Sequence, residues 1–190
     1  MNIASIHYYF GDKEGLYRAV LTRPISVIAD QFGHFDDTAL SFEQAMRQLL
    51  APLLRMALDE DEQGLLVTRL HLRELLEPSA VFREVVAQHI GPLHDALAGL
   101  LARHCGLPKP DAEIHRLAFA VGALASDYCL SREYIRLLAP GLLKGPRARE
   151  RILDRLVDYC VALLHGEQVR RQPPTSSNVS HATSNKRHRR

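Results

Sequence analysis

The residues best suited to contact another molecule stand at the start of the sequence, between Asn2 and Leu16. A short segment has small and polar side chains at its front and aromatic side chains at its rear, and Gly11 and Lys13 follow it. Short side chains at the front of a helix permit close approach to base edges in the major groove. Tyrosine hydroxyls, lysine and the N–H groups at a helix start suit phosphate oxygens. The pattern is compatible with a surface for double-stranded DNA.

Composition alone leaves a second interpretation open. The same segment also fits an ordinary amphipathic helix that buries Ile3, Ile6 and Phe10. The two interpretations differ in where the aromatic side chains lie, since a DNA-binding surface requires Tyr8 and Tyr9 to face outward.

The order and spacing of these residues resemble the end of the helix-turn-helix in the TetR family of transcriptional regulators. In that pattern two aromatic residues and Phe precede Gly-x-Lys-Glu-x-Leu, and the matching positions here are Tyr8, Tyr9, Phe10, Gly11, Lys13, Glu14 and Leu16. Carried over by position, the resemblance implies that Phe10 and Leu16 belong to the small core of the DNA-binding domain. It implies a DNA-contacting set of Asn2, Ile3, Ala4, Ser5, His7, Tyr8, Tyr9 and Lys13.

This sequence departs from the TetR family pattern in one respect. The family places two helices before this one, and none precedes Asn2 in this sequence. We therefore expect this chain to lack the first two helices of its DNA-binding domain, with Met1 an internal or misassigned start. Sequence-specific binding to DNA by this chain should then be poor, because an isolated short helix is marginal in water.

Nearly every segment has the hydrophobic period of a helix, and aromatic residues make up only 6% of the chain, which favours helices over sheets. The predicted fold is all-α, with a partial helix-turn-helix head before a TetR-type helical C-terminal domain. We divide the chain into a remnant of the DNA-binding domain at 1–23, a ligand-binding and dimerisation domain at 24–166 and a disordered basic tail at 167–190. Helix starts are predicted at Asp12, Ser41, Ser79 and Asp111, and a bend at Gly91-Pro92.

The segment 69–128 resembles the C-terminal domain of one TetR subgroup. That resemblance implies a homodimer in which two long helices, predicted at 112–130 and 147–165, pair with their copies. The alternative is that the same apolar faces form the core of a single chain. The residues predicted for the dimer interface are Ala118, Gly122, Ala125, Leu153, Leu156, Val157, Cys160 and Leu164.

The family also implies a pocket for an unknown small-molecule inducer among the middle helices. Polar residues within apolar stretches are the candidates for its walls, namely Arg73, Glu74, His94, Asp127 and Tyr128. The alternative for each is a surface residue or a structural pair. The predicted function is a DNA-binding transcriptional regulator, acting as a ligand-responsive repressor. The competing hypothesis is a helical ligand-binding or dimerisation protein that does not bind DNA by itself.

Other functions find no support in the pattern. Histidines lack zinc-ligand spacing, and no nucleophile–base set or phosphate-binding glycine loop is present, so we predict neither an enzyme nor a cofactor. The three cysteines are widely spaced and are predicted to be small buried hydrophobic residues. We expect no membrane partner and a cytoplasmic location, because no apolar run reaches the ~18 residues of a membrane span.

Overall fold

The computed structural model describes residues 3–32, 40–58 and 62–172, which form helices joined by short turns, with no strand among them. The predicted all-α class is confirmed. The α-helices are α1 Ile3–Phe10, α2 Lys13–Phe32, α3 Phe42–Leu58, α4 Glu62–Leu76, α5 Ala80–Val85, α6 Gly91–His104, α7 Ala112–Leu130, α8 Arg132–Leu138 and α9 Ala148–Arg171. A π-helical turn at Val86–Ile90 joins α5 to α6, and a 3₁₀ turn at Pro140–Leu143 precedes α9.

The predicted helix starts are confirmed by hydrogen bonds from side chains to first-turn N–H groups, which have no partner within the helix. Ser41 and Gln44 form a reciprocal capping box, with the Gln44 N–H donating to Ser41 Oγ and the Ser41 N–H to Gln44 Oε1. Asp12 accepts a hydrogen bond from the Gly15 N–H at 2.7 Å, and Ser79 accepts one from the Phe82 N–H at 3.1 Å. Asp111 accepts from the N–H groups of Glu113 and Ile114, at 3.1 and 3.0 Å.

The chain stays helical from Ala80 to His104 through Gly91-Pro92, where a bend was predicted, and a π-helical turn lies directly before these residues. One predicted boundary is wrong. The last helix does not end at Gly166 but continues to Arg171. Arg171 is held by Glu167 and by a bidentate pair with Asp111, and these contacts stabilise the final turn. Residues 173–190, the rest of the predicted tail, lie outside the described residues.

The main core lies where α3, α6, α7 and α9 pack together. Its fully buried side chains include Met46, Leu50, Leu101 and Leu156. Cys160 is also fully buried there, and burial raises the pKa of its thiol to about 11, as predicted for a cysteine that serves as a small hydrophobic residue. A smaller second core joins α2 to α5. Within the described ranges, no helix is both long and apolar enough to cross a lipid bilayer.

Candidate functional site

The turn between α1 and α2 has a geometry that only glycine permits. Gly11 has a φ of 78°, and its N–H donates to the carbonyl of His7 at 3.0 Å, which closes α1. A methyl group at Gly15 would collide with the carbonyl oxygen of Phe10. The two glycines therefore set the angle at which α1 leaves α2.

This turn leaves the aromatic end of α1 in solvent. Tyr8 is 83% exposed and Tyr9 is 75% exposed, and their rings meet edge to face at 5.1 Å between centroids. His7 and Lys13 are exposed beside them. Four residues of the predicted DNA-contacting set are thus exposed within seven positions of the chain, and we call these four residues the head surface. Phe10, expected in a small core, is 41% exposed.

The remaining members of the predicted set are described less fully. The backbones of Ile3, Ala4 and Ser5 lie in the first turn of α1, and nothing is assigned to their side chains. Asn2 lies outside the described residues. Their contact with DNA stays a prediction.

A buried carboxylate ties the helix that carries the head surface to the body. Glu74 on α4 is only 3% exposed, and its two oxygens accept from the Tyr17 hydroxyl and, at 2.8 Å, from the Ser79 N–H. Burial alone would raise the pKa of Glu74, but the hydrogen bonds from Tyr17 and Ser79 together lower it. The bond to Glu74 in turn raises the pKa of Tyr17. We call Tyr17, Glu74 and Ser79 the junction.

Apolar packing and an ion pair surround the junction. Leu21 and Ile25 of α2 pack against Val81, Phe82 and Val85 in the second core. On the exposed side, Nη2 of Arg18 lies 2.9 Å from Oε2 of Glu84. The linking helix α2 is therefore fixed to the body by both apolar and polar contacts between Tyr17 and Ile25.

The residues predicted for an inducer pocket are not brought together. Glu74 serves the junction, and Arg73 beside it is exposed. His94 is half-buried, 2.9 Å from His115 between ring nitrogens, and packs against Phe119. The other two lie further along α7: Asp127 is exposed and accepts from Ser131 Oγ at 2.6 Å, while Tyr128 is half-buried against the main core.

The structure instead has a cavity of about 950 Å³ elsewhere in the body, and none of those five residues lines it. Its walls come from α3, α8, the 3₁₀ turn and the start of α9. Sequence reasoning missed it because its lining residues are far apart in the chain. The only advance signal was the cluster of basic residues between 132 and 151.

The residues predicted for the dimer interface lie mostly inside one chain. Gly122 and Leu153 are half-buried, and six others are buried in the main core: Ala118, Ala125, Leu156, Val157, Cys160 and Leu164. This placement favours the alternative that the sequence left open, an intramolecular core. The apolar period of a helix marks a buried face without saying whether the same chain covers it.

The same two helices also carry exposed apolar side chains. Phe119 and Leu130 project from α7, and Tyr159, Leu163 and Val169 from α9. Phe119 is 70% exposed and Tyr159 47% exposed, with the Arg155 guanidinium 5.9 Å from the Tyr159 ring centroid. We call these five residues the outer face.

Two comparisons with known proteins identify the class to which this helical protein belongs. Residues 42–167 match the family model described as the C-terminal domain of the HTH-type transcriptional dual regulator CecR. The HTH-type transcriptional dual regulator CecR of Shigella flexneri is 33% identical over 177 residues, which cover 86% of this chain and 77% of that relative. The chain belongs to the CecR family of transcriptional regulators.

Proposed function

We propose that this protein is a DNA-binding regulator whose head surface enters the major groove and whose body responds to a small molecule. The observation that carries the proposal is the exposure of Tyr8, Tyr9 and Lys13 beside a helix start. Large aromatic side chains in solvent contribute nothing to the core, so their placement is better explained by contact with a partner. Lys13 and the first N–H groups of α2 supply positive potential for phosphates.

The DNA-binding form carries two helices ahead of α1, as the TetR resemblance implies. Those helices would cover Phe10, which is 41% exposed here, and would hold α1 against the duplex. We predict repression as the outcome of binding, and the Shigella flexneri relative is described as a dual regulator.

The regulator acts as a homodimer through the outer face. A protein that reads two half-sites on DNA needs two-fold symmetry. The outer face supplies apolar surface on the two helices that the family resemblance assigns to pairing, whereas the residues predicted from sequence fill the core. Phe119→Glu combined with Leu163→Glu should convert the dimer into monomers in analytical ultracentrifugation, and a persisting dimer would remove this part of the proposal.

The junction gives the body a means to move the head. Glu74 accepts hydrogen bonds from α2 and from the start of α5, so a displacement of α4 relative to α5 is passed to the linking helix. In a dimer, a shift of both head surfaces changes the distance between them, which must match the ~34–36 Å of one DNA turn. A ligand that displaces α4 in this way would therefore change the affinity of the dimer for DNA.

A gel-shift titration tests DNA binding directly. It uses the promoter region beside the gene, with the 190-residue chain and a version extended upstream by two helices. We expect binding by the extended version and weak or no binding by the shorter chain. In the extended version, Lys13→Gln should weaken binding to every duplex and lower the salt slope by about one. Lys109→Gln, which removes an exposed lysine from the α6–α7 turn, is the matched control and should leave the titration unchanged.

The same titration separates the two candidate functions. Binding by neither version favours the alternative, a helical ligand-binding or dimerisation protein without DNA binding of its own. Equal loss of binding in Lys13→Gln and Lys109→Gln would mean that general charge, and not the head surface, holds the duplex.

A further inference from the structure

The cavity in the body has the size and construction of a ligand site. Its volume of about 950 Å³ falls at the upper end of the ~300–1,000 Å³ of typical small-molecule pockets. Buried side chains of Leu54, Ala148 and Ile152 line it, with half-buried Leu143 and Leu153 beside them. These residues supply an apolar surface formed by three different elements.

The charge around this apolar surface is strongly one-sided. Among the described residues that line the cavity, Glu150 is the single acid, and six are cationic: Arg47, Arg55, Arg132, Arg136, Lys144 and Arg149. The excess is local, because residues 1–166 hold 18 basic and 21 acidic residues. A third of the basic residues in an acidic body therefore surround one cavity.

Several of these cations are already held in place. Arg47 pairs with Asp154 at 2.6 Å, Arg136 with Glu133 at 3.6 Å, and Nη2 of Arg132 donates to the Leu58 carbonyl at 3.2 Å. These contacts engage the three guanidinium groups and leave them less available to a ligand. Within the described part of the chain, Arg55 and Lys144 have no acidic partner, so they are the cations best able to bind a ligand.

The rim of the cavity is ordered by its own contacts. Arg151 donates from Nη2 to the carbonyl of Lys144 at 2.8 Å, and Gly145 beside it has a φ of 93°. This bond places the Lys144 backbone at the entrance to α9. The lysine is thus held at the rim rather than carried on an unrestrained loop.

We propose that this cavity binds an organic anion, a molecule with a carboxylate, sulfonate or phosphate group attached to an apolar, preferably flat body. Arg55 and Lys144 contact the anionic group, and Leu54 and Ile152 contact the apolar part. A purely apolar ligand would leave the cations desolvated without compensation, and a small inorganic anion would leave the apolar surface uncovered. The biological role of the site rests on the proposed ligand-responsive function, whereas binding itself requires no DNA.

Fluorescence titration of the 190-residue chain with 8-anilinonaphthalene-1-sulfonate tests the proposal. The matched neutral probe is N-phenyl-1-naphthylamine, which has the same ring system without the sulfonate. We expect the anionic probe to bind more tightly than the neutral one, with an affinity that falls as salt is added. The double variant Arg55→Gln/Lys144→Gln should weaken the anionic probe by roughly tenfold and leave the neutral probe unchanged.

A charge-matched variant controls for a general effect of positive charge. Arg83→Gln/Lys109→Gln removes one exposed arginine and one exposed lysine that do not line the cavity. It should bind both probes like the unmodified chain. Ala51→Trp, which places a large ring in the cavity wall, should weaken both probes while circular dichroism shows an unchanged helix content and melting temperature.

Three results would overturn the proposal. These are equal affinity for the two probes, equal weakening by the two double variants, or undiminished binding to a folded Ala51→Trp protein. Because no DNA is present in these titrations, a failed gel shift with intact anion binding would reject the proposed function and keep the site. Loss of the preference for the anionic probe, together with an intact gel shift, would reject the anion site and keep the proposed function.

Discussion

The first and last described helices use apolar and aromatic side chains in opposite ways. In α1, Tyr8 and Tyr9 lie in solvent at the end of a short helix. In α9, by contrast, Leu156 and Cys160 are almost completely enclosed by α3 and α7. The two helices have similar sequence signals, since each has a run of apolar and aromatic residues with helical spacing.

The hydrophobic period of a helix locates its apolar face but does not say what covers that face. In α9 the face covered by the same chain is the one that the sequence assigned to a partner chain. In α1, Phe10, which composition alone would bury, is 41% exposed, and Tyr8 and Tyr9 lie in solvent. Three substitution experiments test how different these two surfaces are, in order of decreasing effect.

Leu101→Ala in the main core should have the largest effect. Leu101 is fully buried, so its truncation removes apolar contacts and leaves a cavity, at a cost of about 2–5 kcal/mol in the free energy of unfolding. Tyr8→Ala should change that free energy by no more than about 0.5 kcal/mol, because the ring is 83% exposed. Urea unfolding at one fixed protein concentration measures both. A loss of several kcal/mol on Tyr8→Ala would remove the distinction between head and body.

Glu74→Ala should have an intermediate effect that centres on the junction. It leaves the Tyr17 hydroxyl and the Ser79 N–H without their acceptor, at a cost of about 1–3 kcal/mol for a buried group left unsatisfied. Glu77→Ala removes an exposed carboxylate from the same turn and is the control. Hydrogen exchange should accelerate in α2 of Glu74→Ala and stay slow in α9. Uniform acceleration in both helices would show that Glu74 stabilises the whole chain rather than the attachment of the linking helix.

Asp111→Asn should have the smallest effect, visible in how stability depends on pH. The hydrogen bond from Arg171 and the N–H groups of α7 hold the pKa of Asp111 well below its usual range. Its folded pKa is therefore lower than the unfolded value of about 4, so its contribution is present above pH ~4 and is lost as pH falls below it. Melting temperatures from pH 7 to pH 3 should fall less steeply in Asp111→Asn, whose amide still caps α7. Asp95→Asn, an exposed acid on α6, should keep the original slope; identical slopes for all three proteins would contradict the assignment.

Local signals in the sequence were sufficient for most of the helical framework. Asp12, Ser41, Ser79 and Asp111 begin helices where predicted, because each cap depends only on a side chain and the N–H groups two or three residues later. The end of the last helix was harder to predict, because α9 continues to Arg171 through ion pairs with Glu167 and with Asp111, which is 60 positions away.

The candidate site residues divide in the same way. Tyr8, Tyr9 and Lys13 were predicted from sequence because the head surface is one continuous stretch with a recognisable order. Glu74 was predicted as a candidate wall of an inducer pocket, but its place at the junction depends on Tyr17, 57 positions away in the chain. Arg55 and Lys144 were not found at all, because nothing in the sequence brings α3 against the rim of α9.

By itself the sequence determined the all-α class, the helix starts and the glycine turn between α1 and α2, since these follow from interactions within a few residues. Only the tertiary structure decided which face of α7 and α9 is covered, where the junction holds α2, and that six distant cations surround one cavity. The physical reason is that burial and charge clustering depend on contacts between helices that are distant in the chain. The hydrophobic period of one helix carries no information about which other helix packs against it.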